Sequence, residues 1–316
     1  MASSITASSH KGRWAPGPNA HWKFIGGDEP IETRQGMGVT LPSQRDKIAE
    51  VLKANGVSRE SMEKRLIDAI ELSKTTIDPK TGKSIYDQEK GWYLGAHDQI
   101  EVIAKDLGLD PDVVAGAVAA LSPQMKWQNK LKQNYPNLEN ALGICEIANS
   151  DEVFTLTEEM VKGTGFPAGD FACKNIPAGI LAKWHPGAAG QSFVSSRIKA
   201  IEIVRGGSLD TFLEGNKVRS FYMNLTHPTT NTGAFTVDGW QYTAMVDSKP
   251  KKDLLTGPVF TTKGASKKLG RKAEIDKVTC YPVFVDAGMA VAKKYGLLPQ
   301  ELQAITWSMY QGGYIK

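Results

Sequence analysis

The chain has 316 residues, 41% of them hydrophobic, which is enough for one large or two small globular domains and too apolar for a mainly disordered protein. Its net charge of +4 is too small to name a partner, and its three cysteines (Cys145, Cys173 and Cys280), far apart and without CxxC spacing, argue against a disulfide scaffold or a cysteine-based zinc site. The longest apolar run is nine residues, 113–121, short of the roughly 20 that span a bilayer; with no signal-peptide apolar region at the N-terminus, a cytoplasmic protein with no membrane partner is expected.

Residues 1–42, rich in Ser, Gly and Pro, show no periodicity and read as an N-terminal arm, partly packed through Trp14, Trp22 and Phe24 on a helical body spanning 43–316. Ser43 is placed to cap a helix over 44–54. Ser58 is placed to cap one over 59–74, where Met62, Leu66, Ile67 and Ile70 share a face. After a turn over 75–84, helices are expected at 88–107 and 110–121, the latter capped by Asp110 with Pro111 at its first position. Residues 113–121 are small and apolar on every side, which makes that helix central. It ends at Ser122 and Pro123, and another helix carries Lys126, Trp127 and Lys130 to about Tyr135. Helical patterns resume at 137–148, 171–183, 194–203, 217–225, 238–245, 283–295 and 300–309, with strand signals only at 235–237 and 259–262. The expected fold is mostly α, a multi-helix globule with irregular loops and little strand.

The segment 206–245 places Lys217 and Asp238, 21 positions apart, at the starts of successive helices. Val218, Phe221, Tyr222 and Leu225 have the spacing of a buried face, which leaves Lys217 at the entry turn among free backbone N–H groups. An amine and a carboxylate held this way suit sugar or carbonyl chemistry near a phosphate. A lysine whose pKa is lowered by desolvation, or by a neighbouring cation such as Arg219 or Lys199, can attack a sugar C1′ and form a Schiff base. The ordinary role of a lysine at a helix start is a solvated surface charge. Asp238 can stabilise an oxocarbenium-like sugar, orient water or take a proton from Lys217, and it can also cap the helix that begins at Gly239.

Two further groups and one segment bear on function. Gln124, Trp127 and Gln128 supply amides and an aromatic face of the kind that holds an extruded base, with core packing as the alternative for Trp127. His97 shares the expected helix 88–107 with Trp92 and Tyr93, either as a proton shuttle facing the pocket or as a hydrogen-bonded core residue. His185 and His227 sit beside prolines with no carboxylate or cysteine at ligand spacing, so no metal site is expected. Within a basic insertion over 247–279, the run 249–277 holds nine basic residues against three acidic ones, the balance of a surface that neutralises phosphates or of a solvated loop.

The run Leu213, Glu214, Gly215, Asn216, Lys217, followed by Val237 and Asp238 at a later helix start, resembles the helix-hairpin-helix DNA glycosylases of the endonuclease III and 8-oxoguanine glycosylase type. The stretch AALSPQMKWQ, 119–128, looks like the "LSQQT" helix end that lines the base pocket in that superfamily, and RIKAIEIV, 197–204, looks like the helix preceding the hairpin. The hairpin is two residues shorter than the family's Leu-Pro-Gly-Val-Gly-x-Lys and has one glycine where two are expected, which suits a divergent phage-encoded branch. The four-cysteine cluster of endonuclease III is missing, so neither an iron–sulfur cluster nor another cofactor is expected.

The resemblance implies a base-flipping DNA N-glycosylase with Schiff-base lyase activity, a monomer whose partner is DNA, working in the cytoplasm, the host's if phage-encoded. Lys217 and Asp238 would be catalytic, with Gln124, Trp127, Gln128 and His97 around the base. Gly215, Asn216, Arg219, Lys267, Lys268, Arg271 and Lys272 would lie along the DNA. Two alternatives keep the fold: a transferase that hypermodifies bases of phage DNA, and a non-catalytic DNA-binding protein. Replacing Lys267, Lys268 and Lys272 with glutamine is expected to weaken DNA binding and flatten its salt dependence, read from isotherms at several salt concentrations. An unchanged slope would assign the segment to another task.

Overall fold

The computed structural model describes residues 12–16, 22–26, 57–123, 136–184, 192–213, 216–246 and 281–315, and most of them are helical. Two short strands, β1 (Gly12–Pro16) and β2 (Trp22–Gly26), pair within the stretch read as an arm without periodicity. Five-residue strands around a Pro-Gly-Pro break are too short to register as a periodic pattern.

Helix α1 (Arg59–Thr75) starts at a reciprocal cap, in which Ser58 Oγ accepts from the Ser61 N–H at 3.1 Å and the Ser58 N–H donates to Ser61 Oγ at 3.0 Å. Its buried stripe is Met62, Leu66, Ala69, Ile70 and Ser73; Ile67, expected on that face, is only half-buried. Two helices replace the single one expected over 88–107: α2 (Ile85–Glu89), capped by Ser84, and α3 (Trp92–Leu107). Ser84 starts the helical run early, and Gly91, a weak helix former, stands where it breaks. Helix α4 (Pro111–Leu121) has the expected cap, with Asp110 Oδ1 accepting from the Asp112 N–H at 2.9 Å, and it is buried from Val113 to Leu121.

After α5 (Pro136–Ala148), strands β3 (Val153–Leu156) and β4 (Gly169–Ala172) pair antiparallel, Val153 opposite Ala172 and Leu156 opposite Gly169, enclosing the single turn α6 (Glu158–Val161). The expected helix over 171–183 is therefore corrected. Its first part is strand and a 3-10 turn (Cys173–Asn175), and only α7 (Ala178–Trp184) is helical. Pro177 accounts for this, since the residue before a proline is pushed out of the helical region, and Ile176 has ψ 133°.

The remaining helices are α8 (Val194–Val204), α9 (Leu209–Phe212), α10 (Asn216–Thr226), α11 (Gly239–Val246), α12 (Tyr281–Tyr295) and α13 (Pro299–Gln311). Residues 235–237, expected as strand, are buried connection without ladder partners. The helices expected over 44–54 and from Lys126 to Tyr135, and the strand at 259–262, lie outside the described residues.

The chain divides into two compact units, Met1–Gly12 with Ala96–Glu214 and Arg13–Gly95 with Gly215–Lys316. In the first, α4 packs on α5 and α8, and Arg205 at the end of α8 donates to the carbonyls of Ala148, Cys173 and Ile176, tying helix, 3-10 turn and loop together. In the second, α13 packs against α1, α2, α11 and α12 and is buried from Leu302 to Tyr310. Helix α12 runs close over the connection before α11: a Cβ at Gly288 would stand 2.7 Å from the fully buried Phe235 ring.

Gly288→Ala is expected to lower stability by about 1–3 kcal/mol in urea unfolding, the overpacking cost outweighing the roughly 1 kcal/mol that alanine gains in a helix. Gly116→Ala, which meets chiefly the free end of Leu209, is expected to cost less. Equal costs would contradict the tight α12 contact.

Candidate functional site

The site is built in the second unit from α10, the turn after it, α11 and α13. Helix α10 buries Phe221, Tyr222, Met223 and Leu225 with the polar Ser220 and Asn224, while Lys217 and Val218 in its first turn are half-buried. The turn that follows is fastened at both ends. Gln300 Nε2 donates to the carbonyls of His227, Pro228 and Thr230 at 3.2, 2.9 and 3.1 Å. Asn224 Nδ2 donates to Thr236 Oγ1 at 3.0 Å, between two fully or nearly fully buried side chains. Buried Phe235, Thr236 and Val237 then deliver Asp238 to the start of α11.

Asp238 is the N-cap of α11, with Oδ1 accepting from the Gln241 backbone N–H at 2.8 Å. Its other oxygen is also engaged: Trp307 Nε1 on α13 donates to Oδ2 at 2.9 Å. One turn away the Gln241 amide lies against the Thr306 hydroxyl, with Nε2 at 3.1 Å and Oε1 at 3.2 Å, and both side chains are wholly buried. The Asp238 carboxylate and the Gln241 side-chain amide are thus held to α13 at neighbouring positions.

The Lys217 amine feels two opposing influences. Burial, the larger, lowers its pKa, and the charge of Asp238 raises it, so the two groups share one electrostatic environment. The first cause of the lowering is burial, where sequence reasoning had also considered the cations Arg219 and Lys199. One turn beyond Lys217, the Phe221 ring meets Tyr93 and half-buried Trp92 at centroid distances of 6.0 and 6.4 Å. The Tyr93 hydroxyl in turn donates to Gln303 Oε1 on α13 at 2.8 Å.

The structure therefore brings Lys217 and Asp238 together in one unit. Arg219 is half-buried in the first turns of α10, and Asn216 begins that helix. His97 belongs to the other unit, where its Nε2 is 3.6 Å from Glu101 Oε1. Gln124, Trp127, Gln128, Gly215, Lys267, Lys268, Arg271 and Lys272 lie outside the described residues. Sequence reasoning missed Trp307, Thr306, Gln303, Gln241 and Asn224. The signal was present in α13, where Gln300, Gln303 and Thr306 recur every three residues through a helix otherwise apolar enough to be buried.

Burial pushes the Cys145 thiol up to about 12 and also raises that of Cys173, so neither suits a thiolate nucleophile. Among the described residues no group of three or more His, Cys, Asp or Glu could hold a metal ion, and no helix is long and apolar enough to cross a membrane.

A family model described as a family of unknown function (DUF7178) matches residues 49–149, under half of the chain and ending before Lys217 and Asp238. No curated protein and no solved structure matches the chain.

The Lys217 shift has a thermodynamic consequence. Its folded pKa lies below the ordinary value of 10.5, so between the two the unfolded chain holds more protons, and folding gains stability as pH rises through that window. Relative to Lys217→Met, the native protein should therefore be at its greatest disadvantage below the folded pKa and recover as pH rises toward 10.5, seen in paired Tm measurements at increasing pH. A difference independent of pH would contradict a desolvated amine.

Proposed function

We propose that this protein is a DNA-acting enzyme that extrudes a nucleotide and reacts at its sugar, with Lys217 as amine nucleophile and Asp238 as its acid–base partner. One observation carries the reading: an amine whose pKa is lowered by burial lies under the charge of a carboxylate held at both oxygens. A desolvated amine is uncharged more often at neutral pH and so has its electron pair available. The placement of Asp238 suits proton transfer and the stabilisation of positive charge developing on a sugar.

In the proposed reaction the Lys217 amine gives its electron pair to C1′, and the base leaves with the pair of the glycosidic bond. Asp238 takes the ammonium proton and can return it to the departing base. The nitrogen pair of the resulting glycosylamine then expels O4′ from C1′, and O4′ takes a proton from water as the sugar ring opens to a protonated Schiff base; this acidifies the C2′ proton, whose loss expels the 3′ phosphate and nicks the strand. Trp92 stands against Phe221, which lies one helical turn from Lys217, and offers a flat apolar face; base–aromatic stacking is the usual way to hold an extruded base. The basic segment over 247–279 supplies charge for phosphates.

The test is reductive trapping. Borohydride added during incubation with DNA carrying a panel of damaged and modified bases is expected to yield a covalent protein–DNA adduct. Lys217→Gln should abolish the adduct while DNA affinity is kept, and Asp238→Asn should slow it strongly. Enlarged nucleosides with intact glycosidic bonds would reassign the site to base modification, and tight binding with unaltered DNA would overturn the enzymatic reading.

A further inference from the structure

We infer that Trp307 is a positioning residue for Asp238: its indole N–H and the Gln241 backbone N–H each hold one carboxylate oxygen, fixing the group at a set orientation beside Lys217. This rests on the reading of Lys217 and Asp238 as amine and acid–base partner.

Capping a helix requires only one oxygen of an aspartate, and Oδ1 meets that need at 2.8 Å from the Gln241 N–H. With Oδ2 otherwise unheld, the carboxylate could turn about its own bond, and its uncompensated charge would favour the protonated form of the Lys217 amine. The indole N–H occupies that oxygen at 2.9 Å and draws off part of its negative charge. The donor itself cannot swing away. Trp307 is 8% exposed, and the next residue on α13, Thr306, is wholly buried against wholly buried Gln241. Packing alone would ask for an apolar ring at this position and would not need its N–H aimed at a carboxylate.

Among the described residues, the charged side chains of α1 and α13 that pair or hydrogen-bond are engaged elsewhere. On α1, Arg65 is committed to the far end of α11, with Nε 3.1 Å from the Ala244 carbonyl and Nη2 3.4 Å from the Tyr310 hydroxyl. The other charged pairs of α1, Arg59 with Glu63, Lys64 with Asp68 and Lys74 with Glu71, are spent on one another along its outer surface. On α13, Glu301 accepts from the Leu298 N–H at 2.8 Å at the start of the helix. Trp307 is thus the side chain through which α13 acts on the carboxylate.

The experiment replaces Trp307 with 3-benzothienylalanine by nonsense suppression, which keeps the ring shape and exchanges the N–H for sulfur, with Trp307→Phe as a companion. Two readouts are taken on the full chain. The first is the titration midpoint of Lys217, followed by NMR of 13C-methylated lysines and assigned with Lys217→Gln. Loss of the donor leaves the carboxylate charge less compensated, so the midpoint should move up by about half a unit or more. The second is the rate of borohydride-trapped adduct formation at saturating DNA, expected to fall about tenfold, on the scale of one hydrogen bond to a charged group, with DNA affinity and Tm unchanged in the analogue.

An unchanged Lys217 midpoint overturns the inference, as does a rate loss that only follows a fall in Tm. If the unsubstituted protein forms no adduct on any DNA while the midpoint still moves, the enzymatic reading fails and the positioning role of Trp307 stands. If the adduct forms equally fast with the analogue and the midpoint is unmoved, the positioning role fails and the enzymatic reading stands.

Discussion

A helix buried on nearly every side cannot carry amides and hydroxyls without partners, because each unsatisfied group costs about 1–3 kcal/mol. Helix α13 carries Gln300, Gln303, Thr306 and the Trp307 indole N–H in such a position, and what they bond to sets the arrangement of the second unit. Gln300 spends its amide hydrogens on three carbonyls of the turn between α10 and α11, although its Oε1 has no partner among the described residues. Gln303 receives the Tyr93 hydroxyl, Thr306 the Gln241 amide, and Trp307 reaches Asp238. A stripe of polar groups that would be a liability in an apolar core thus becomes a set of fixed attachment points for Tyr93, for the turn after α10 and for the start of α11, where Asp238 stands.

Much of the fold follows from local signals that the chain states plainly. Ser58 before α1 and Asp110 with Pro111 before α4 are cap signatures that depend only on neighbours a few residues away, and both helices begin where those residues place them. The places where pattern reading fails are those where another constraint prevails. Phe171 and Ala172 belong to a helical hydrophobic pattern, yet they pair with Phe154 and Val153 because Pro177 prevents a helix from running through. Phe235, Thr236 and Val237 have strand composition but no neighbouring strand to pair with, and their burial serves to deliver Asp238. Strands are joint properties of two segments and are read less well from one.

The candidate site divides in the same way. Lys217 and Asp238 were legible because each opens a helix, a position set by local sequence. Trp307 was not, since its role depends on a contact between residues about 70 positions apart that no local pattern announces. The electrostatics likewise belong to the tertiary structure. In sequence, a lysine in the first turn of a helix reads as a solvated cation; in the folded chain burial lowers its pKa and outweighs the pull of the nearby carboxylate. That balance makes an exposed-looking lysine a candidate nucleophile, next to a carboxylate that α13 holds by a hydrogen bond.

The measurement that bears most directly on this account is the site of covalent attachment. After reductive trapping on reactive DNA and digestion of both components, peptide mass spectrometry should place the sugar remnant on the Lys217 side-chain nitrogen. A remnant on another lysine or on the N-terminal amine would contradict the assignment of Lys217 as the nucleophile, whatever reaction the protein performs.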